Sequence, residues 1–222
     1  MAGTAVGAKA METTDWVDRL AERAPVLFAA YFALAAGLRA ATPGGLGLDE
    51  AQIMVHAQSL EWGYGPQPPL YAWLQAGAFA LLGPGKTALA LVKYGLLAVA
   101  FIAVWATARL ADAPARTALV AALMLMFVPG IAWEAQRALT HTPLALACAA
   151  LAMAVFVAAR RRDGTAAYLV LGLVIGLGLL AKWNVVFVAL GLVVAAALCP
   201  PRRPLGALVA GLAAIVVVTP TG

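Results

Sequence analysis

Charge is the scarcest property of this 222-residue chain, since only 11% of its residues are charged and 64% are hydrophobic. A soluble globular domain has about a quarter charged residues and about half apolar ones. The composition therefore excludes an ordinary soluble domain and predicts an integral membrane protein. The two cysteines, Cys148 and Cys199, are too few for a disulfide framework and lack metal-ligand spacing. The net charge of +5 comes from dispersed basic residues, which favours topology signals over a nucleic-acid-binding surface.

Seven apolar segments predict an all-α, polytopic bundle of about seven transmembrane helices. Crossing the hydrocarbon core takes about 20 apolar residues, with about 17 as a minimum. Residues 166–198 are too long for one span, so the polar residues at 182–184 predict a tight helical hairpin. Gly172, Gly176 and Gly178 predict a helix face for close packing. The segments are 25–41, 88–108, 117–133, 143–159, 166–181, 185–198 and 205–218.

The distribution of basic residues predicts a cytoplasmic N-terminus. Residues 1–24 lack the apolar core and cleavage site of a signal peptide, so we expect a cytoplasmic tail and an uncleaved first helix. With this orientation, the tail and the loops 109–116, 160–165 and 199–204 hold 10 of the 15 basic residues, as the positive-inside rule requires. The long connection 42–87 then lies outside the membrane. The five outer basic residues are Arg39, Lys86, Lys93, Arg137 and Lys182.

The connection 42–87 is predicted to contain two short helices, over 48–60 and 68–82, that lie at the outer membrane surface. Its aromatic residues suit the headgroup region; they are Trp62, Tyr64, Tyr71 and Trp73.

A carboxylate pair, Asp49 and Glu50, begins the first of these helices and is a candidate for chemistry because charge is rare here. Adjacent helical residues point about 100° apart. One carboxylate would face the reacting groups, and the other would cap the helix, bind a metal or face water. Alternatively, Asp49 only complements the helix dipole. His56 shares the face of Asp49 and is either a ligand or a polar contact.

Outer carboxylates that face several cations suit a reaction with a phosphate leaving group. A carboxylate takes a proton from the nucleophile, and cations stabilise the charge on the departing phosphate. Lys182 is the best candidate cation because it occupies the tip of the predicted hairpin. Lys93 either joins it or snorkels to the headgroups. Three residues of the third outer loop would line the same cleft or be solvated: Glu134, Arg137 and His141.

Three blocks of the chain carry a recognisable motif pattern: Leu48-Asp49-Glu50-Ala51-Gln52 with Gln58 to Tyr64 and Pro68 to Leu74, then Gly176 to Trp183, and more weakly Thr140 to Leu146. These blocks resemble the GT-C class of polytopic glycosyltransferases and are most similar to the bacterial protein mannosyltransferase and aminoarabinose transferase group. That group typically reads Asp-Glu-Ala, a spacer, Trp-Gly-Tyr, then Lys-Pro-Pro-Leu and Ala-Trp-Leu.

The resemblance implies a sugar transferred from a polyprenyl-phosphate donor to a lipid, protein or cell-envelope glycan, on the outer face of a bacterial inner membrane. Asp49 corresponds to the catalytic carboxylate, and Glu50 would support it or hold a divalent metal. Lys93 and Lys182 would contact the phosphate. The other candidate substrate-binding residues are His56, Tyr64, Gln67, Arg137 and His141.

Some features depart from the family pattern. Gln67 replaces a lysine, Thr142 replaces a frequent aspartate, and family members are about twice as long, so we expect a GT-C-like domain over 25–222 that is truncated at its C-terminus. These departures favour a rival, a non-catalytic relative that binds a lipid carrier or a partner. A transporter of lipid-linked sugars is disfavoured because the polar residues cluster on one face instead of at the midplane.

Overall fold

The computed structural model describes residues 16–162, 165–198 and 205–218, and this part of the chain is almost entirely helical. The predicted all-α class is therefore confirmed for the described residues. The main α-helices are α1 Ala24–Ala41, α2 Leu48–His56, α3 Leu70–Leu82, α4 Lys86–Leu110, α5 Ala115–Leu123, α6 His141–Arg162, α7 Thr165–Ala181, α8 Val185–Leu198 and α9 Leu205–Val218.

Among the described residues, three helices are long and apolar enough to cross a membrane: α1, α4 and the stretch His141–Arg161 of α6. A bent fourth candidate runs from α5 to Arg137. The apolar α7 and α8 have 17 and 14 residues. At about 1.5 Å per residue they are shorter than a bilayer core of about 30 Å. The multi-pass character agrees with the sequence, and the count of seven spans stays a prediction.

The segment predicted to span over 117–133 is not one continuous helix. α5 ends at Leu123, a 3₁₀ turn covers Met124–Phe127, and a π-helical turn covers Gly130–Glu134. The two arms of this segment meet at 79°. Pro129 lies at the break, and its ring removes the N–H that a continuous helix would need. The hydropathy of the sequence does not reveal this break, because the residues on both sides of it are apolar.

The bundle core is built from aromatic and small residues. Phe101 of α4 contacts two rings of α1, with centroids 5.4 Å from Phe28 and 5.1 Å from Phe32. On another face of α4, Ala100 and Ala103 cluster with Ala147 and Ala150 of α6. Small side chains allow these two helices to approach closely. Helix α4 is thus the central element, and it carries Lys93 and Tyr94 at one end of the bundle.

The predicted glycine packing face is confirmed. A Cβ atom at Gly172 would lie 2.2 Å from the carbonyl oxygen of Ala210, and one at Gly176 would lie 2.6 Å from Cβ of Val217. A Cβ atom at Gly178 would lie 2.7 Å from Cγ1 of Val185. These glycines therefore set the close approach of α7 to α9 and to the start of α8.

Both short helices predicted for the connection 42–87 are present but differ in length from the prediction, and their location at the outer membrane surface stays a prediction. Helix α2 ends at His56 instead of 60, because the Gln58 side chain folds back and donates to the Met54 carbonyl oxygen at 3.1 Å. Helix α3 begins at Leu70 instead of 68, after two prolines that cannot donate backbone hydrogen bonds. The predicted hairpin is confirmed, since α7 ends at Ala181 and α8 begins at Val185.

Ion pairs join the segments that the sequence assigns to the inner side. Arg109 contacts Glu22 at 3.1 Å, Arg116 contacts Asp18 at 2.5 Å, and Arg161 contacts Asp112. These segments therefore lie at one end of the bundle, and which membrane face that end meets stays a prediction. Of the predicted features, Lys9, Cys199, Arg202 and Arg203 lie outside the described residues, whereas Cys148 is buried.

Candidate functional site

Glu50 lies at the centre of a buried ion cluster at the other end of the bundle. Its Oε2 accepts from Nη2 of Arg39 at 2.5 Å and from the backbone N–H of Gly47 at 3.0 Å, and its Oε1 accepts from Nζ of Lys93 at 3.1 Å. The side chains of Glu50 and Lys93 are 3% and 2% exposed, and that of Arg39 is 23% exposed. We call Arg39, Glu50 and Lys93 the Glu50 triad.

The environment of Glu50 keeps its carboxylate ionised. Burial alone would raise the pKa of Glu50, but the Gly47 N–H, the charge of Lys93 and the hydrogen bond from Arg39 together lower it. Two cations face one carboxylate, so the triad carries a net positive charge. Its bond to Gly47 also caps the first turn of α2, as the glutamate of a capping box does. Glu50 therefore fixes α2 against α1 and α4.

The triad changes how two predicted roles are understood. Lys93, predicted as a phosphate contact, is covered by Glu50 and would reach a ligand only after that pair opens. Both oxygens of Glu50, predicted to support Asp49 or hold a metal, are occupied by cations and by Gly47. Among the described residues, no three histidine, cysteine or acidic side chains gather as a metal-binding group.

Asp49 has a different environment from its neighbour. It is partly exposed in the first turn of α2, on the face that also carries Ile53 and His56. The two carboxylates thus differ in environment, because Glu50 is buried in ion pairs and caps the helix, whereas Asp49 can be reached. The catalytic role of Asp49 stays a prediction.

Five residues around the far end of α2 form what we call the histidine–lysine cluster: His56, Tyr71, His141, Thr142 and Lys182. The ring of His141 lies 5.1 Å from that of Tyr71, and Nζ of Lys182 donates to Oγ1 of Thr142 at 3.0 Å. Their neighbours Ile53 of α2, Leu144 of α6 and Ala181 at the end of α7 pack with Tyr71 in one buried cluster. The structure thus brings together three predicted substrate-binding residues from α2, α6 and the hairpin.

The histidine–lysine cluster is polar but incompletely bonded. Nδ1 of His56, the hydroxyl of Tyr71 and Nδ1 of His141 are buried and find no hydrogen-bond partner among the described residues. Burial raises the pKa of Tyr71, and the charge of Glu50 raises it further, so Tyr71 keeps its proton and can donate a hydrogen bond. Gln75, one turn further along α3, is fully buried, and neither its Nε2 nor its Oε1 finds a hydrogen-bond partner among the residues that the structure describes.

Tyr64 and Gln67, both predicted to bind substrate, build the turn between α2 and α3. Their backbones exchange two hydrogen bonds, of 3.0 and 3.2 Å, around Gly65, whose φ is +63°. The Tyr64 hydroxyl donates to the Ser59 carbonyl and accepts from the Glu61 N–H. Its ring stacks on His56, with centroids 4.9 Å apart. Tyr64 therefore positions His56, a contact that the sequence analysis missed.

A cavity opens beside Glu50. It has a volume of about 690 Å³ and lies between the loop 43–47, α4 and the bend at 132–137. We call it the arginine cleft; its main side chains are Tyr31, Arg39, Glu50, Tyr94, Trp133 and Arg137. Lys86 holds the loop by donating to the Thr42 carbonyl oxygen at 2.7 Å.

The third outer loop divides between the two regions. Of the two alternatives for Glu134, Arg137 and His141, a shared cleft is not found, because the chain turns between Ala138 and Thr140 before α6 begins. Exposure to solvent holds for Glu134 and Arg137. Arg137 lines the arginine cleft, whereas His141 joins the histidine–lysine cluster. Glu134 lies on the surface and contacts Arg137 at 3.5 Å. Sequence reasoning also overlooked Tyr31 and Trp133, which offer no signal beyond being aromatic near a helix end.

Comparison with known proteins gives two kinds of match. A family model described as dolichyl-phosphate-mannose-protein mannosyltransferase matches residues 66–221. The lipopolysaccharide core galacturonosyltransferase RgtB of Rhizobium johnstonii is 40% identical over 178 residues, which are 80% of this chain and 36% of RgtB. RgtA of the same organism, also named a lipopolysaccharide core galacturonosyltransferase, is 37% identical over 166 residues, 75% of this chain and 33% of RgtA.

The matches cover only part of the relatives and only part of the predicted site. The chain spans about a third of the length of these two relatives. The family match contains the Pro68 to Leu74 and Gly176 to Trp183 blocks, and it begins after Asp49 and Glu50. No solved structure matches the chain.

Proposed function

Because this chain belongs to the dolichyl-phosphate-mannose-protein mannosyltransferase family, we propose that it moves a sugar from a polyprenyl-phosphate donor to an acceptor hydroxyl at the outer face of a membrane. The observation that carries the proposal is the arrangement along one face of α2. An accessible carboxylate, Asp49, begins this face, and the incompletely bonded histidine–lysine cluster ends it. The family's chemistry needs a base and a phosphate site, and these two features supply them.

The proposed reaction assigns a role to each group. Asp49 accepts the proton of the acceptor hydroxyl, and the hydroxyl oxygen attacks C1 of the sugar. The bond between C1 and the phosphate oxygen breaks, and its electron pair stays on the phosphate. Lys182 faces the negative charge that grows there, and the unpaired hydroxyl of Tyr71 donates a hydrogen bond to it. The products are the glycosylated acceptor and polyprenyl phosphate.

The names of the relatives suggest which sugar and acceptor to test first. RgtB and RgtA are named for galacturonosyl transfer to lipopolysaccharide core. We propose galacturonic acid as the sugar and a cell-envelope glycan as the acceptor. We propose a bacterial inner membrane location, as the resemblance to the bacterial transferases implies. The distribution of basic residues supports a cytoplasmic N-terminus, which would place Asp49 on the outer side.

Replacement of Asp49 tests the catalytic assignment. With Asp49→Asn, we expect sugar transfer to fall by about 100-fold or more, because the amide cannot accept the proton. Insertion and folding should be unchanged, since Asp49 is partly exposed. Sugar transfer would be measured in membranes that contain the wild-type protein or a variant, each expressed from the native gene. Asp112→Asn, at the opposite end of the bundle, is the matched control and should keep its activity. Wild-type turnover by Asp49→Asn would refute the assignment.

A non-catalytic carrier-binding protein is the second candidate. The uncharged Gln67 and the covered side chain of Lys93 favour it, because both reduce the positive charge that a departing phosphate would meet. This candidate predicts that the wild-type protein binds polyprenyl phosphate yet transfers no sugar from any donor. A wild-type protein that transfers sugar in the same preparation would exclude it.

A further inference from the structure

The arginine cleft has the form of a binding site that the proposed reaction does not use. Its volume of about 690 Å³ leaves room for a sugar ring, and two aromatic side chains stand at its edge. Trp133 is 63% exposed and Tyr31 is 46% exposed. Exposed aromatic faces near polar groups suit the apolar C–H face of a pyranose ring, while the ring hydroxyls bond to their surroundings. The π-helical turn presents Trp133 here, and such turns occur frequently at functional sites.

The charge of the arginine cleft favours an anion. The Glu50 triad behind it has two cations for one carboxylate. Arg137 stands across the cleft and contacts Glu134 at 3.5 Å, with both side chains largely exposed. An exposed pair of this kind contributes little free energy, so an incoming carboxylate can replace Glu134. The planar guanidinium of arginine matches the two oxygens of a carboxylate.

We propose that the arginine cleft binds a hexuronosyl group, with its ring against Trp133 and its carboxylate on Arg137. This inference rests on the proposed function for its place in the reaction. Glu50 lines the cleft, and Asp49 precedes it directly in α2. The Cα atoms of Asp49 and Glu50 are therefore only about 3.8 Å apart. The cleft therefore reaches the turn of α2 that carries the proposed base, and the residues that line it include Glu50 but not Asp49. Two relatives are named for a sugar of this class.

A binding measurement tests the inference without relying on turnover. The probes are methyl α-galacturonoside and methyl α-galactoside, which differ in the carboxylate, and equilibrium dialysis with the purified, detergent-solubilised protein gives their affinities. We expect Arg137→Gln to weaken the galacturonoside by about tenfold, the loss typical of one charge-assisted contact, and to leave the galactoside unchanged. Trp133→Ala should weaken both sugars, because both rings would lose the same surface.

A matched control variant lies at the opposite end of the helix bundle. Arg109 lies over the ring of Trp105 at 5.8 Å, the same distance that separates Arg137 from Trp133. Arg109→Gln removes an equivalent arginine far from the cleft and should leave both affinities unchanged. Three results would overturn the inference: equal affinity of the wild-type protein for both sugars, wild-type affinity in Arg137→Gln, or equal weakening by Arg109→Gln.

Transfer kinetics then separate the two sources of a hexuronosyl group. If the group belongs to the donor, Arg137→Gln raises KM for polyprenyl-phosphate galacturonic acid. If it belongs to the acceptor glycan, the variant raises KM for the acceptor instead. Either result supports the cleft assignment, and an unchanged KM for both contradicts it. A wild-type protein that transfers no sugar would refute the proposed function, while the dialysis result would still decide the inference.

Discussion

The Glu50 triad and the histidine–lysine cluster each draw a residue from α2, but only the triad is complete. In the triad, both oxygens of Glu50 are bonded, and Lys93 is covered by its partner. In the cluster, three buried polar atoms lack partners among the described residues. Leaving a buried polar group unpaired costs about 1–3 kcal/mol. The complete cluster is therefore best explained by folding, and the incomplete one by a ligand or water that completes it.

The largest expected effect comes from breaking the complete cluster. Glu50→Gln leaves Lys93 and Arg39 without their counter-charge, and removal of one partner of a buried pair costs about 3–5 kcal/mol. We expect a large fall in the unfolding temperature of the solubilised protein. The double variant Glu50→Leu with Lys93→Met should be more stable than Glu50→Gln, because it removes the two fully buried charges together and leaves only the partly exposed Arg39. An unfolding temperature equal to that of the wild type in Glu50→Gln would contradict a structural role for the triad.

A smaller effect, on binding rather than stability, is expected in the incomplete cluster. Lys182 is partly exposed, and within the described part of the chain its side chain makes one hydrogen bond, to Thr142. We expect Lys182→Gln to change the free energy of unfolding by less than about 1 kcal/mol and to weaken polyprenyl-phosphate binding by about tenfold. Binding of a fluorescent polyprenyl phosphate would be compared with that of Arg161→Gln, a control at the opposite end. Unchanged affinity, or a large loss of stability, would refute a ligand-binding role for Lys182.

The smallest expected effect is on the pH dependence of stability. The folded protein lowers the pKa of Glu50, so the stabilisation is fully present above the unfolded value of about 4.3. It is lost as the pH falls below that value and through the folded pKa. We expect the wild-type unfolding temperature to drop more steeply below this pH than that of Glu50→Gln, which has no carboxyl group to protonate. Parallel curves would argue against the triad as the source.

Much of the architecture could be predicted from the sequence because hydropathy and small residues determine it locally. The hairpin at 182–184 was predicted because the apolar run is too long for one span, and Gly172 and Gly176 were predicted at a close helix contact. The resemblance to GT-C glycosyltransferases is confirmed by the family match. Each of these features can be predicted from residues that are close together in the sequence or from a short motif.

The site could be predicted only in part because it depends on contacts between distant segments. Arg39 and Lys93 lie 11 and 43 residues from Glu50, and nothing local shows that one carboxylate holds both. The turn between Ala138 and Thr140 decides that Arg137 lines the arginine cleft while His141 joins the histidine–lysine cluster, although they are only four positions apart in the chain. The sequence placed the correct residue types at one end of the bundle but could not assign them to two clusters.

The most direct test of the account compares Asp49→Asn with Glu50→Gln in one preparation, with the unfolding temperature and the rate of sugar transfer measured for each. The account predicts that Asp49→Asn keeps the wild-type unfolding temperature and loses transfer. It also predicts that Glu50→Gln unfolds at a much lower temperature, while the fraction still folded retains transfer. The opposite pattern, with transfer intact in Asp49→Asn and abolished in a fully stable Glu50→Gln, would contradict it.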